Sequence, residues 1–155
     1  MGKAYLDALN MLARRELSEA QIRQRLARRE HDADDIDAAV ERLRSERAID
    51  DRRVAEAIAR TQTSIKRRGK LRIRREIEHA GIARDTARRV VDDVFAGVDA
   101  EALLEQSLTK RIRGREKIAD QKEFHRLYRY LVGQGFEPDR VLAALRKYNK
   151  SDDLE

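Results

Sequence analysis

The sequence has no cysteine, no tryptophan and a single proline, and only 5% of its 155 residues are aromatic. The missing thiols exclude a disulfide framework, a thiolate zinc site and a cysteine nucleophile. With Pro138 as the lone proline, long stretches contain no obligatory helix breaker. No apolar run approaches the roughly 20 residues that a membrane-spanning helix needs, and no short apolar core of a secretory signal is present. A soluble, cytoplasmic protein without membrane contact is therefore expected. Met1-Gly2 opens like a myristoylation signal, but Leu6 stands where that signal needs serine or threonine. A helical register already running at Ala4 fits a chain from which a leader has been trimmed.

Charge is what the chain has in abundance. Asp, Glu, Lys and Arg make up 41% of it, with 35 basic against 29 acidic residues and a formal net charge of +6. The apolar inventory is Ala, Leu, Ile and Val, so any core is thin and spread out. Ala, Leu, Arg and Glu lose little rotamer freedom in a helix, and no alternating β-branched run marks a strand. The reading is all-α.

One helical segment recurs three times. An offset of 54 residues lays Ile73, Ile77, Gly81, Ile82 and Val91 onto Leu127, Leu131, Gly135, Phe136 and Leu145, and an offset of 51 in the other direction lays Ile73, Ile77 and Val91 onto Ile22, Leu26 and Val40. Each copy presents an apolar stripe that must dock on its neighbours. The predicted fold is a set of tandem three-helix repeats, three units over 1–48, 49–98 and 99–149, forming an elongated, curved helical array with a disordered tail at 150–155.

In the first unit Leu6, Leu9, Leu12 and Ala13 mark an opening helix. Ser18 and Gln21 then form a capping box for a second helix bearing Ile22 and Leu26, and Asp34 precedes a third with Ile36, Val40 and Leu43. The second unit places Val54, Ile58 and Ile65 on its first helix, breaks at Arg68-Gly69-Lys70, presents Ile73 and Ile77, and ends that helix with Gly81 as a left-handed cap followed by Ile82. The third runs from Leu103, Leu104, Leu108 and Ile112 through Gly114 to Phe124–Val132, a Gly133-Gln134-Gly135 break and a helix opened by Pro138.

With Ile73 and Ile77 inward, Arg72, Arg75 and His79 form one exposed stripe. The third unit repeats it as Arg126 and Arg129, whereas the first has Gln21, Gln24 and Arg28. Lys66, Arg67, Arg68 and Lys70 flank one stripe, and Lys110, Arg111, Arg113, Arg115 and Lys117 the other. Solvated helix surfaces are often this basic, and the acidic residues offset most of the charge. Segregation favours a binding face: Asp32, Asp34, Asp35, Asp37, Asp92, Asp93 and Asp99 gather at third helices, leaving the second helices to meet phosphates or an acidic protein surface. The candidate surface is Arg72, Arg75, Arg126 and Arg129, with Lys66, Arg67, Arg68, Lys70 and Arg111 as secondary contacts. Replacing the four stripe arginines by glutamate is expected to cost binding without unfolding the protein.

Five of the seven aromatic residues, Phe124, Tyr128, Tyr130, Phe136 and Tyr148, fall in the last unit. Phe124 and Phe136 match core positions; Tyr128 and Tyr130 are open to stacking roles. Catalytic and metal motifs are missing. Gly69-Lys70 lacks the remaining elements of a phosphate loop, and His31, His79 and His125 have no metal-ligand spacing. Asp50-Asp51 and Asp92-Asp93 are adjacent carboxylates that diverge on a helix and suit capping. No enzyme activity, metal or cofactor is expected.

Ala8-Leu9 to Leu26 with its Arg15-x-x-Ser18 step, Ile49-Asp50-Asp51-Arg52-Arg53-Val54-Ala55, Arg68-Gly69-Lys70 through Ile73 and Ile77 to Gly81-Ile82, and Leu131 to Phe136 together resemble the bacterial RecX regulators of the RecA recombinase. The resemblance covers nearly the whole chain. It departs at Val54, where the family has an aromatic, and at Glu30-His31, which lacks a glycine to match Gly81 and Gly135. It implies a fold of tandem three-helix repeats without cofactor, and a place in DNA repair, homologous recombination and the SOS response. It further implies binding to the RecA nucleoprotein filament on single-stranded DNA, directly or through RecA, with restraint of ATP hydrolysis, strand exchange and repressor cleavage; a monomer is expected. Two other classes fit the basic helices themselves: a direct DNA-binding module of helix-turn-helix type, and a helical scaffold for another protein.

Overall fold

A computed structural model describes residues 2–149 of the protein; Met1 and the tail expected to be disordered, 150–155, lie outside the described residues. Among the described residues there are nine α-helices and no strand: α1 Lys3–Arg14, α2 Glu19–Arg28, α3 Ala33–Ser45, α4 Asp51–Ser64, α5 Lys70–His79, α6 Arg84–Ala96, α7 Ala100–Ile112, α8 Gln121–Gly133 and α9 Pro138–Asn149. The chain divides into two compact units. The first comprises Met1–Ile58 and Glu76–Val90, the second Ala59–Arg75 and Val91–Glu155, so α4, α5 and α6 each contribute one end to either unit.

In the first unit α1, α2 and α3 pack around Tyr5, Met11, Leu17, Ile22, Leu26, Val40 and Leu43. The face of α1 differs from the expected one. Leu6 is 48% exposed and Leu9 and Leu12 only flank the core, while Ala4, Tyr5, Ala8 and Met11 are buried. Small Ala4 and Ala8 let helices approach closely, and this rotation gives the Tyr5 ring a place under the Arg42 guanidinium, 3.8 Å from its centroid, with its hydroxyl donating to Glu46 at 2.6 Å. The start of α3 is also corrected: Asp32 is the N-cap and Asp34 lies in the first turn, where its charge suits the helix dipole.

The capping box at α2 forms as expected. Ser18 Oγ accepts from the Gln21 N–H at 3.1 Å, and Gln21 Oε1 accepts from the Ser18 N–H at 2.9 Å. Ser18 is fully buried because its hydroxyl also donates to the Ala80 carbonyl in the turn after α5. Gly81 in that turn has φ +83°, and a Cβ there would fall 2.5 Å from the Ala20 Cβ.

The second unit contains an equivalent seam. The Gly69 N–H donates to the Gln134 carbonyl at 2.8 Å and the Leu71 N–H to the Gly135 carbonyl at 3.1 Å. Gly135 has φ +101°, and a Cβ on it would lie 2.5 Å from the Arg72 nitrogen. The core behind this seam comprises Leu104, Leu108, Ile112, Leu127, Leu131, Phe136, Val141 and Leu145. Phe136 is buried as expected; Phe124 packs against the core but remains half-buried, its ring edge-on to His125. Ile65 departs further. It follows the end of α4 and is 75% exposed, because the chain reverses at Arg67 (φ 51°) and α4 instead buries Val54, Ala55, Ala59 and Thr63.

Candidate nucleic-acid interface

Three segments of the second unit enclose a basic cleft of about 1260 Å³. Ile65, Lys66 and Arg67 come from the turn after α4. Ser107, Lys110 and Arg111 come from α7, at the i, i+3, i+4 spacing of one helix face, and Arg113 and Arg115 from the connection that follows. Glu123, Arg126 and Tyr130 of α8 and its C-cap Gln134 line the opposite wall at intervals of three and four residues. Arg67 (φ 51°) and Arg113 (φ 57°) occupy left-handed backbone, which costs a side-chain-bearing residue about 1–2 kcal/mol relative to a helical one.

The charge in the cleft is poorly balanced from within. Among the described residues, Lys66, Arg67, Lys110, Arg111, Arg113 and Arg126 make no ion pair with a carboxylate. Only Arg115 does, pairing through both guanidinium nitrogens with Glu123. That hydrogen bond from Arg115 holds the Glu123 carboxyl below the usual carboxylate range, against the desolvation that would raise it. Elsewhere arginines find local acids, as in Arg23–Asp37, Arg42–Glu46 and Arg88–Asp85. The Arg111 guanidinium lies 3.6 Å from the Tyr130 ring centroid, a flat cation–aromatic stack at the cleft wall.

Of the candidate residues, Lys66, Arg67, Arg111 and Arg126 come together in this cleft. The others lie elsewhere. Arg72 is half-buried and donates to the Gly133 carbonyl at 3.2 Å, making it part of the seam with Gly135. Arg75 is exposed with its Nε 3.3 Å from the Leu71 carbonyl, and Arg129 is exposed. Arg68 donates to Gln62 at 2.7 Å, and Lys70 pairs with Asp92 at 3.2 Å beside the Phe95 ring. The cleft adds Lys110, Arg113, Arg115, Tyr130 and Gln134. Tyr130 carries a readable signal, since it follows Arg126 by one helical turn. The basic run of 110–117 was visible as a run, but not which members of it share a wall.

The lining of the cleft is thus dominated by cationic side chains, with Glu123 as its one carboxylate. Among the described residues no three His, Asp or Glu side chains gather as a metal site, and no helix is long and apolar enough to cross a membrane.

Comparison with known proteins decides the lineage. Residues 4–43 match the family model described as RecX, first three-helix domain, and residues 50–91 match RecX, second three-helix domain. The chain belongs to the RecX family. It is 31% identical to the regulatory protein RecX of Halorhodospira halophila over 94% of this chain and 88% of that one. It is likewise 31% identical to the regulatory protein RecX of Syntrophotalea carbinolica, over 86% and 88% of the two chains. In fold it is similar to the crystal structure of RecX from Lactobacillus salivarius, with a TM-score of 0.75, 19% identity and 95% of each chain covered. A second crystal structure, of a regulatory protein RecX, aligns with a TM-score of 0.72 at 21% identity, covering 93% of this chain and 70% of that one. The all-helical, three-helix-domain architecture is thus the RecX architecture.

Proposed function

We propose that this RecX-family chain binds RecA filaments on single-stranded DNA and restrains RecA ATP hydrolysis, strand exchange and co-protease activity, acting as a cytoplasmic monomer without cofactor. The observation that carries the reading is the second unit's cleft, where Lys66, Arg67, Lys110, Arg113 and Arg126 accompany the Arg111–Tyr130 stack and Glu123, paired with Arg115, is the one carboxylate in the lining. Unpaired cations on a fixed wall attract phosphates or an acidic protein surface, and a stacked guanidinium and ring offer a flat face to an unstacked base. Regulation then follows from occupancy: a protein that prefers one filament state over another shifts the population toward it.

Within this reading Lys66, Arg67, Lys110, Arg111, Arg113 and Arg126 make the principal contacts. Arg75 and Arg129 extend the basic surface, and Arg68 and Lys70 contribute at its margin. Arg72 braces the fold. The division into repeats over 1–48, 49–98 and 99–149 belongs to the same proposal.

The test is RecA ATP hydrolysis on single-stranded DNA, titrated with the protein and two variants. Arg111→Glu/Arg126→Glu reverses charge in the cleft. Arg67→Gly/Arg113→Gly removes two cations while relieving left-handed backbone, so it does not threaten the fold. Inhibition at substoichiometric protein, lost in both variants at unchanged helicity, is the expected result; full inhibition by the folded variants overturns the assignment. The Arg111–Tyr130 stack also supports a second reading, direct binding to bare single strands. Tight, steeply salt-dependent DNA binding without any effect on RecA would select it.

A further inference from the structure

The first unit carries a second basic recess, of about 400 Å³, that the repeat pattern does not reveal. By spacing, the first repeat has glutamines where the others have arginines. The fold nevertheless brings Arg14 and Arg15 from the end of α1 beside Arg25, Arg28 and Arg29 from the end of α2, with Asn10 and Met11 completing the lining. Arg29 is offset by Asp7 at 3.4 Å, and Asp7 is itself held by His31 at 2.7 Å. Among the described residues Arg14, Arg15, Arg25 and Arg28 have no carboxylate partner.

Helix C-termini favour cations, which accounts for one or two arginines at each end taken separately. It does not account for two helix ends delivering five guanidinium groups to one recess, where they repel. A planar guanidinium fork matches a phosphate oxygen pair, and several forks converging on one space suit a polyanion. The lining also separates nucleic acid from a protein partner. Protein interfaces anchor on exposed aromatic or apolar groups, and here the only apolar side chain is Met11, which is buried. No ring is available for base stacking, in contrast to Tyr130 in the second unit.

We propose that Arg14, Arg15, Arg25 and Arg28 form a second site, one that grips the phosphate backbone of a nucleic-acid strand without reading its bases. It stands independently of the second unit's cleft and goes beyond the RecA reading.

The experiment is fluorescence anisotropy of a labelled oligothymidylate with the full-length protein, its Arg14→Gln/Arg25→Gln/Arg28→Gln variant and the Arg111→Glu/Arg126→Glu cleft variant, each across a salt series. If the three arginines each neutralise one phosphate, the triple-glutamine variant loses about 2 from the log–log salt slope, at roughly 0.7 per single-strand phosphate, and binds at least about tenfold more weakly at low salt. Its melting temperature without DNA stays level or rises, because repulsion has been relieved. The same slope and affinity as the parent overturn the site. So does a fall in melting temperature with binding intact, which marks the arginines as helix-end stabilisers, and so does intact DNA binding with lost RecA inhibition, which marks an acidic protein as the occupant. The cleft variant separates the two readings: retained slope there with loss in the glutamine variant leaves the recess standing while the cleft falls.

Discussion

Three helix-ending turns occupy equivalent places in the repeats, yet one holds Glu30 and the other two hold Gly81 and Gly135. All three adopt left-handed backbone, with φ 66°, 83° and 101°. Conformation alone therefore does not demand glycine. Space does: Gly81 faces Ala20 and Gly135 faces Arg72 and Gly69, each with a hypothetical Cβ inside 3 Å, whereas Glu30 is exposed, its N–H donating to the Ala27 carbonyl at 3.0 Å. Glycine is thus the signature of a turn that packs against the start of the preceding repeat's second helix, α2 for Gly81 and α5 for Gly135. Glu30 is exposed, which leaves room for its side chain at that turn.

The comparison breaks most sharply at Gly135. Gly135→Val combines left-handed strain with backbone collision and should destabilise by about 3–5 kcal/mol in denaturant unfolding. Gly81→Ala should cost about 2–4 kcal/mol, and Ala20→Gly in the same chain should recover much of the loss, because the clash is with the Ala20 methyl. An unrescued double variant would show that φ, not the neighbour, dictates glycine. In the opposite direction, Glu30→Gly should stabilise by about 0.5–1 kcal/mol through relieved left-handed strain.

The smallest effect concerns the polar brace at that same turn. The hydrogen bond from His31, aided by Arg29, holds the Asp7 carboxyl below its ordinary value. A carboxylate depressed in the folded state stabilises above its unfolded value, near 4, and the contribution fades as pH falls through the lower folded value. The gap in melting temperature between the parent and Asp7→Asn should therefore be present at pH 6 and shrink toward pH 3. A gap independent of pH would show that Asp7 acts by shape and not by charge.

Much of this architecture was legible because it is local and periodic. The offsets of 51 and 54 residues located the second helices, the Ser18–Gln21 box and the Gly81 and Gly135 turns from residue type alone. The opening helix misled because Leu6, Leu9 and Leu12 and the set Tyr5, Ala8 and Met11 are both spaced as a helix face; the bonds from Tyr5 to Glu46 and Arg42, 41 and 37 residues away, break the tie. Ile65 misled because nothing in its own turn announces that α4 stops at Ser64.

What the sequence determined by itself was helix: its periodic apolar stripes, capping residues and scarcity of breakers act within a few residues, where chain connectivity already sets the geometry. Only the tertiary structure decided the basic surfaces. The cleft joins segments near 66, 111 and 126, and the recess joins the ends of α1 and α2, so neither exists until packing brings distant arginines together. Packing also took Arg72 out of the exposed stripe, because its guanidinium reaches the Gly133 carbonyl once Gly69 and Gly135 let the backbones close. Charge acts through space, and its neighbours are set by the fold.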